Sequence, residues 1–78
     1  MQNVYFGSRE FHVKSFKSGF STNHLFSFPN GYLLCVTENF EGYNLRWNVV
    51  YLYKNKKIYD LTNQTYIEVT KLLKKQSR

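Results

Sequence analysis

Residues 45–54 (LRWNVVYLYK) alternate with a two-residue period, and this run constrains the fold more than any other. Leu45, Trp47, Val49, Tyr51 and Tyr53 fall on one side of an extended chain, with Arg46, Asn48, Val50, Leu52 and Lys54 on the other. β-Branched and aromatic side chains fit a pleated, half-buried surface. The run therefore predicts a long strand with a dry side and a wetter side. The Trp47 side is expected to lie under a second layer. An alternative stays open from sequence: Trp47, Tyr51 and Tyr53 as an exposed aromatic platform.

The same reasoning finds strands on either side. Residues 9–16 (REFHVKSF) alternate, with Phe11 and Val13 on one face and Glu10, His12 and Lys14 on the other. Residues 17–23 read as a polar loop and 24–28 (HLFSF) as a short strand. Pro29-Asn30-Gly31 is a turn signal, because Pro presets φ and Asn-Gly tolerates positive φ. The chain returns as a strand over 32–38, in which Cys35 is expected to be a small buried hydrophobe. Asn39–Asn44 and Asn55-Lys56-Lys57 read as turns, and Ile58–Leu61 as a fifth strand. Residues 1–8 are left as a loosely ordered N-terminal segment.

The period changes at the C-terminus. Thr65 and Glu68 have the spacing of a capping box, with Thr62 as the alternative cap. Tyr66, Val69, Leu72 and Leu73 gather on one helical face, while Glu68, Lys71, Lys74 and Lys75 gather on the other. The late lysines suit the negative end of the helix dipole. The expectation is an α+β domain spanning 1–78. It has a small antiparallel sheet of four to five strands and one C-terminal helix, about 65–76, packed on one face.

Composition narrows the function. Eleven Lys and Arg stand against five Asp and Glu, a net charge of +6, beside seven Phe, seven Tyr and one Trp. Surplus positive charge favours nucleic acid, an anionic surface or an acidic protein patch. A chain of this size buries roughly 60% of its unfolded surface and has no room for a cofactor-binding lobe. One cysteine excludes an intrachain disulfide and a cysteine-built zinc site. No basic n-region precedes an apolar run, and no apolar stretch approaches the ~20 residues of a membrane span. The chain is therefore expected to be cytoplasmic, with no membrane partner. Ala is absent, while Asn, Lys, Phe and Tyr are abundant, a bias that AT-rich codons produce. That bias points to a phage, a plasmid or another AT-rich genome.

Catalytic patterns are missing from the sequence. His12 and His24 lie in separate strands without a carboxylate at ligand spacing. Glu10, Glu38, Glu41, Asp60 and Glu68 are dispersed, and the four glycines are isolated turn residues. No enzyme activity, metal or cofactor is expected.

The basic residues are better organised. Lys54, Lys56 and Lys57 cluster at one predicted hairpin tip, and Lys71, Lys74 and Lys75 line the predicted outer helix face, with Arg78 behind. Arg46 and Lys54 share a strand face, and Tyr53 lies beside them. Each group could equally be a solvated polar face. The first functional expectation is a non-catalytic nucleic-acid-binding protein that uses these cations for phosphates and aromatic rings for bases. The strands-then-helix order ending in KIYDLTNQTYIEVTKLLKK resembles, in pattern alone, the single-stranded-DNA-binding transcriptional coactivators, and no family residue carries over. The second expectation is an inhibitor of the anti-defence or host-takeover type, encoded by a phage or mobile element, that occupies an acidic patch on a host protein. The third is edge pairing into a homodimer.

Overall fold

The computed structural model describes residues 2–76 and, for Glu41, the backbone alone. Six strands form one antiparallel sheet in chain order: β1 (Gln2–Phe6), β2 (Arg9–Ser18), β3 (Ser21–Ser27), β4 (Tyr32–Glu41), β5 (Asn44–Tyr53) and β6 (Lys56–Gln64). A single helix, α1 (Tyr66–Gln76), follows. The sheet is larger than the four to five strands expected. The additional strand is β1, within the segment that the sequence left loosely ordered.

Turn chemistry explains the tight meander. Ser18 pairs with Ser21, Glu41 with Asn44 and Tyr53 with Lys56, so each of these hairpins has a two-residue turn. Gly19 and Gly42 open their turns at φ of 62° and 63°, the type II′ pattern, which needs a residue without Cβ strain. Lys54 and Asn55 both have positive φ, 51° and 66°, the type I′ pattern. The β5–β6 turn is thus Lys54-Asn55, one residue earlier than expected, and Lys56 already belongs to β6. Residues 21–23, expected as loop, belong to β3.

One sheet face is covered. Phe26, Leu34, Val36, Trp47, Val49 and Tyr51 from the sheet meet Val69 and Leu73 from α1. Each such side chain contributes about 1.5–3 kcal/mol by leaving water. The buried face of β5 is the one its alternation marked as dry. The capping box forms at the helix start: Thr65 N–H donates to Glu68 Oε1 at 3.0 Å, and Glu68 N–H donates to Thr65 Oγ1 at 3.2 Å. Glu68 is held below the usual carboxylate range, first by the Thr65 backbone N–H.

The helix is not the sole cover. β2 divides its pairing: residues 9–13 face β1, and residues 14–18 face β3. Freed from β3, the β1–β2 hairpin folds over the covered face beside α1. Phe6 at its tip packs edge-on against Phe26 and Trp47, with centroids 6.0 and 5.9 Å away, and stacks on Tyr66 at 5.2 Å. The Tyr66 hydroxyl accepts from Gly7 N–H at 2.7 Å and donates to the Tyr5 carbonyl at 3.3 Å. Hairpin and helix are thereby clasped together over Trp47.

The opposite face is open to solvent. Its middle carries Leu25, Leu33, Cys35, Val50 and Leu52, all half-buried. Cys35 therefore corrects the expectation of a buried core thiol. Its neighbours Leu34 and Val36 take the core positions and alternation turns Cys35 outward.

Candidate nucleic-acid interface

Four of the sequence-predicted residues meet at one end of the sheet. Tyr53 closes β5 and remains 38% exposed. Tyr32 braces its ring at a centroid distance of 5.1 Å, and Gly31 lies behind it, where a Cβ would stand 3.0 Å from the ring. Lys54, at the turn apex, places Nζ 5.5 Å from the Tyr53 ring centroid, and Lys56 pairs across the strand from Tyr53. The C-terminal end of α1 arrives here as well: Asn30 Nδ2 donates to Gln76 Oε1 at 3.2 Å, which brings Lys75 of the last turn to the same end. Beyond Tyr53, Tyr59 stacks on Tyr51 at 4.3 Å with ring planes 18° apart, and its other side stays exposed. Burial, followed by the hydrogen bond with Tyr59, pushes the Tyr51 hydroxyl well above the ordinary tyrosine range. Two partly exposed, braced tyrosines therefore lie toward the end of the sheet that carries Lys54, Lys56 and Lys75.

The remaining predicted cations lie elsewhere. Lys57 pairs with Leu52 on the open-face side, and its Nζ reaches Asp60 Oδ2 at 2.9 Å. That contact lowers the Asp60 carboxyl, and strand alternation, which turns Lys57 to the opposite face from Lys56, is what separates it from the tip cluster. Arg46 lies toward the far end of the sheet, where it donates to its neighbour Leu45's carbonyl at 3.1 Å and borders a shallow basin with Asn39, Asn48, Thr62 and Asn63. Lys74 lines a recess against the β1–β2 hairpin, and Lys71 stands exposed in the middle of the helix. Arg78 lies outside the described residues.

Carboxylates do little to neutralise this charge. Among the described residues the ion pairs are Lys57–Asp60 and His24–Glu38, and Glu68 is committed to the helix cap. Glu10 raises the Tyr5 hydroxyl by its charge, away from the tyrosine cluster. Among the described residues, Arg9, Lys14, Lys17, Lys54, Lys56, Lys71, Lys74 and Lys75 thus have no carboxylate within ion-pair distance.

Two features escaped the sequence. The first is Arg9, which read as the start of a strand and stands beside Lys74. The second is a partly buried relay: Ser15 Oγ lies 2.6 Å from His24 Nδ1, and His24 Nε2 lies 3.5 Å from Glu38 Oε1. Serine, histidine and carboxylate in that order are the elements of an activated nucleophile. Here Ser15 sits mid-strand, half-buried, with its backbone in the β2–β3 ladder. The relay gives both ring nitrogens of a histidine that is only 5% exposed a hydrogen-bond partner. Its signal was cross-strand register, since Ser15 opposes His24 directly.

No protein-family model matches the chain, and searches of curated proteins and of solved structures return no match. Among the described residues no helix is long and apolar enough to cross a membrane, and no cluster of His, Cys, Asp and Glu could hold a metal.

Proposed function

We propose that this protein is a small non-catalytic nucleic-acid-binding module that uses the β5–β6 end as its contact surface. One observation carries the reading: Tyr53 is braced and partly exposed beside Lys54 and Lys56, with Lys75 at the same end of the sheet, and among the described residues none of the three has a carboxylate partner. Lysines with no internal partner can exchange condensed counterions for phosphates, which makes binding steeply salt-dependent. A ring held on one side and wet on the other offers a stacking surface for a base, at about 1–3 kcal/mol per base. Single strands are favoured over duplexes, because their bases are free to stack. The working compartment in this reading is the cytoplasm of the cell or of an infected host.

The test is fluorescence anisotropy with labelled single- and double-stranded oligonucleotides over a salt series. Lys54→Glu with Lys56→Glu should weaken binding to any sequence by more than tenfold and reduce the salt slope by about two. Tyr53→Ala should weaken single-strand binding about 5- to 150-fold. Absence of binding at low salt would remove this reading.

A second reading, the inhibitor of a host protein, is favoured by a different observation. Phe20 and Tyr43 are fully exposed at the tips of the β2–β3 and β4–β5 hairpins, and Phe40 is largely exposed nearby in sequence. Aromatic anchors are the favoured hot spots of protein interfaces. Co-purification from the native host, lost on Phe20→Ser with Tyr43→Ser, is the expected result for that reading.

A further inference from the structure

The β1–β2 hairpin and α1 do not close completely against each other. Between them lies a recess of about 340 Å³, within the range of small-ligand pockets, which runs from about 300 to 1,000 Å³. Phe6 and Phe11 supply its apolar wall, Ser8 and Thr70 its hydroxyls, and Arg9 and Lys74 its charge. Among the described residues no carboxylate lines it. Glu10 alternates to the opposite face of β2, and Glu68 is held in the helix cap. Two cations from separate elements thus face one partly apolar cavity with no internal counter-charge.

Their placement is partly organised in advance. The Arg9 guanidinium lies over the Phe11 ring at 5.0 Å from its centroid, which restricts a fork able to bind two oxygens of one phosphate. Phe11 is itself fixed edge-on to Phe26 at 5.2 Å. Across the gap, Lys74 rises from a helix locked to the hairpin through Tyr66. The Thr70 hydroxyl donates to the Tyr66 carbonyl at 2.7 Å, so toward a ligand it can offer only acceptor capacity. The Ser8 hydroxyl has no such commitment among the bonds described.

We propose that this recess binds a phosphate monoester attached to a flat ring. Charge selects the headgroup: a monoester carries close to two negative charges at neutral pH, because its second pKa is about 6, and it matches Arg9 and Lys74 together. A carboxylate would leave one cation unpaired. The flat body is selected by Phe6 and Phe11. The site is built from β1, β2 and α1, so it does not depend on the Tyr53 surface at the end of β5. A free nucleotide and the phosphorylated end of a nucleic-acid strand share this chemistry.

The test is titration of the intact protein with phenyl phosphate, followed by amide chemical shifts. Changes are expected at Gly7, Ser8, Arg9, Thr70 and Lys74, with affinity at least tenfold above that for benzoate and essentially none for phenol. Arg9→Gln and Lys74→Gln should each weaken phenyl phosphate at least tenfold while the rest of the spectrum stays native. Lys54→Glu with Lys56→Glu should leave it unchanged, which separates this site from the polyanion surface. Titrations with a nucleoside monophosphate and with a 5′-phosphorylated oligonucleotide against its 5′-hydroxyl form identify the source. The proposal is overturned if phenol shifts the same amides, if the changes concentrate at Lys54 and Lys56, or if Arg9→Gln and Lys74→Gln bind as the parent does.

Discussion

The β5–β6 tip and the β2–β3 and β4–β5 tips use the same two-residue solution to reverse the chain, yet they present opposite chemistry. At one end Lys54 and Asn55 occupy a type I′ turn and show water a cation. At the other, Gly19-Phe20 and Gly42-Tyr43 occupy turns that open with glycine and show water an aromatic ring. Backbone geometry explains Gly19, Gly42 and Asn55, which take positive φ. It asks nothing of Phe20 or Tyr43, and it disfavours Lys54, a side chain held at a φ of 51°. Side chains that the fold does not require, gathered by type at separate ends, are what the two proposed readings rest on: polyanion binding on one end, a protein partner on the other.

The largest effect should come from removing what both ends depend on. Trp47→Ala leaves a cavity under the hairpin and helix and should cost about 3–5 kcal/mol in denaturant unfolding, abolishing every binding activity with the fold. Trp47→Phe should cost far less, because the indole N–H is buried without a hydrogen-bond partner and its loss leaves nothing unsatisfied. Next, Lys54→Glu with Lys56→Glu should reduce oligonucleotide affinity more than tenfold with little change in melting temperature, whereas Phe20→Ser with Tyr43→Ser should leave that affinity intact. The reverse outcome would exchange the roles of the two ends. Asn55→Ala keeps the charge but removes the short polar side chain that tolerates the left-handed region, and should lower stability by about 1 kcal/mol while Asn55→Gly does not. Phe20→Ser and Tyr43→Ser should each shift stability by no more than about 0.5 kcal/mol.

The smallest effect is acidic. Asp60 and Glu68 both have carboxyls lowered in the folded protein, by Lys57 and by the Thr65 amide respectively. A lowered carboxyl contributes stability above its unfolded pKa and loses it as pH falls through the folded one. Thermal melts should therefore decline below about pH 4, the ordinary carboxylate range. Lys57→Met should soften that decline without touching oligonucleotide binding, because Lys57 points away from the tip cluster.

Much of this fold was legible because its elements alternate cleanly. β5 declared its buried side, Pro29–Gly31 its turn, and Thr65 with Glu68 its helix start. β1 was not legible, because five residues with Val4 and Phe6 as their apolar signal gain their order from Trp47 and Tyr66, far along the chain. The start of β3 was hidden by polarity: Ser21, Thr22 and Asn23 look like loop, yet Asn23 is buried and accepts from the Thr37 hydroxyl at 2.6 Å. The candidate site divided in the same way. Tyr53, Lys54 and Lys56 are neighbours in sequence and stay neighbours in space. Lys57 departs because alternation turns it to the other face from Lys56, and Lys74 through its position on the helix, while Arg9 joins Lys74 only when the hairpin folds over.

Every strand pairs with its immediate predecessor or successor, so the sheet can zip together by short loop closures, the regime of low contact order and rapid folding. The long-range closure left to make is the one in which Phe6 and Tyr66 bring the two chain ends over Trp47. A sheet completed before that lid arrives would hold its only tryptophan wet, and indole emission moving to shorter wavelength would time the moment at which the ends engage.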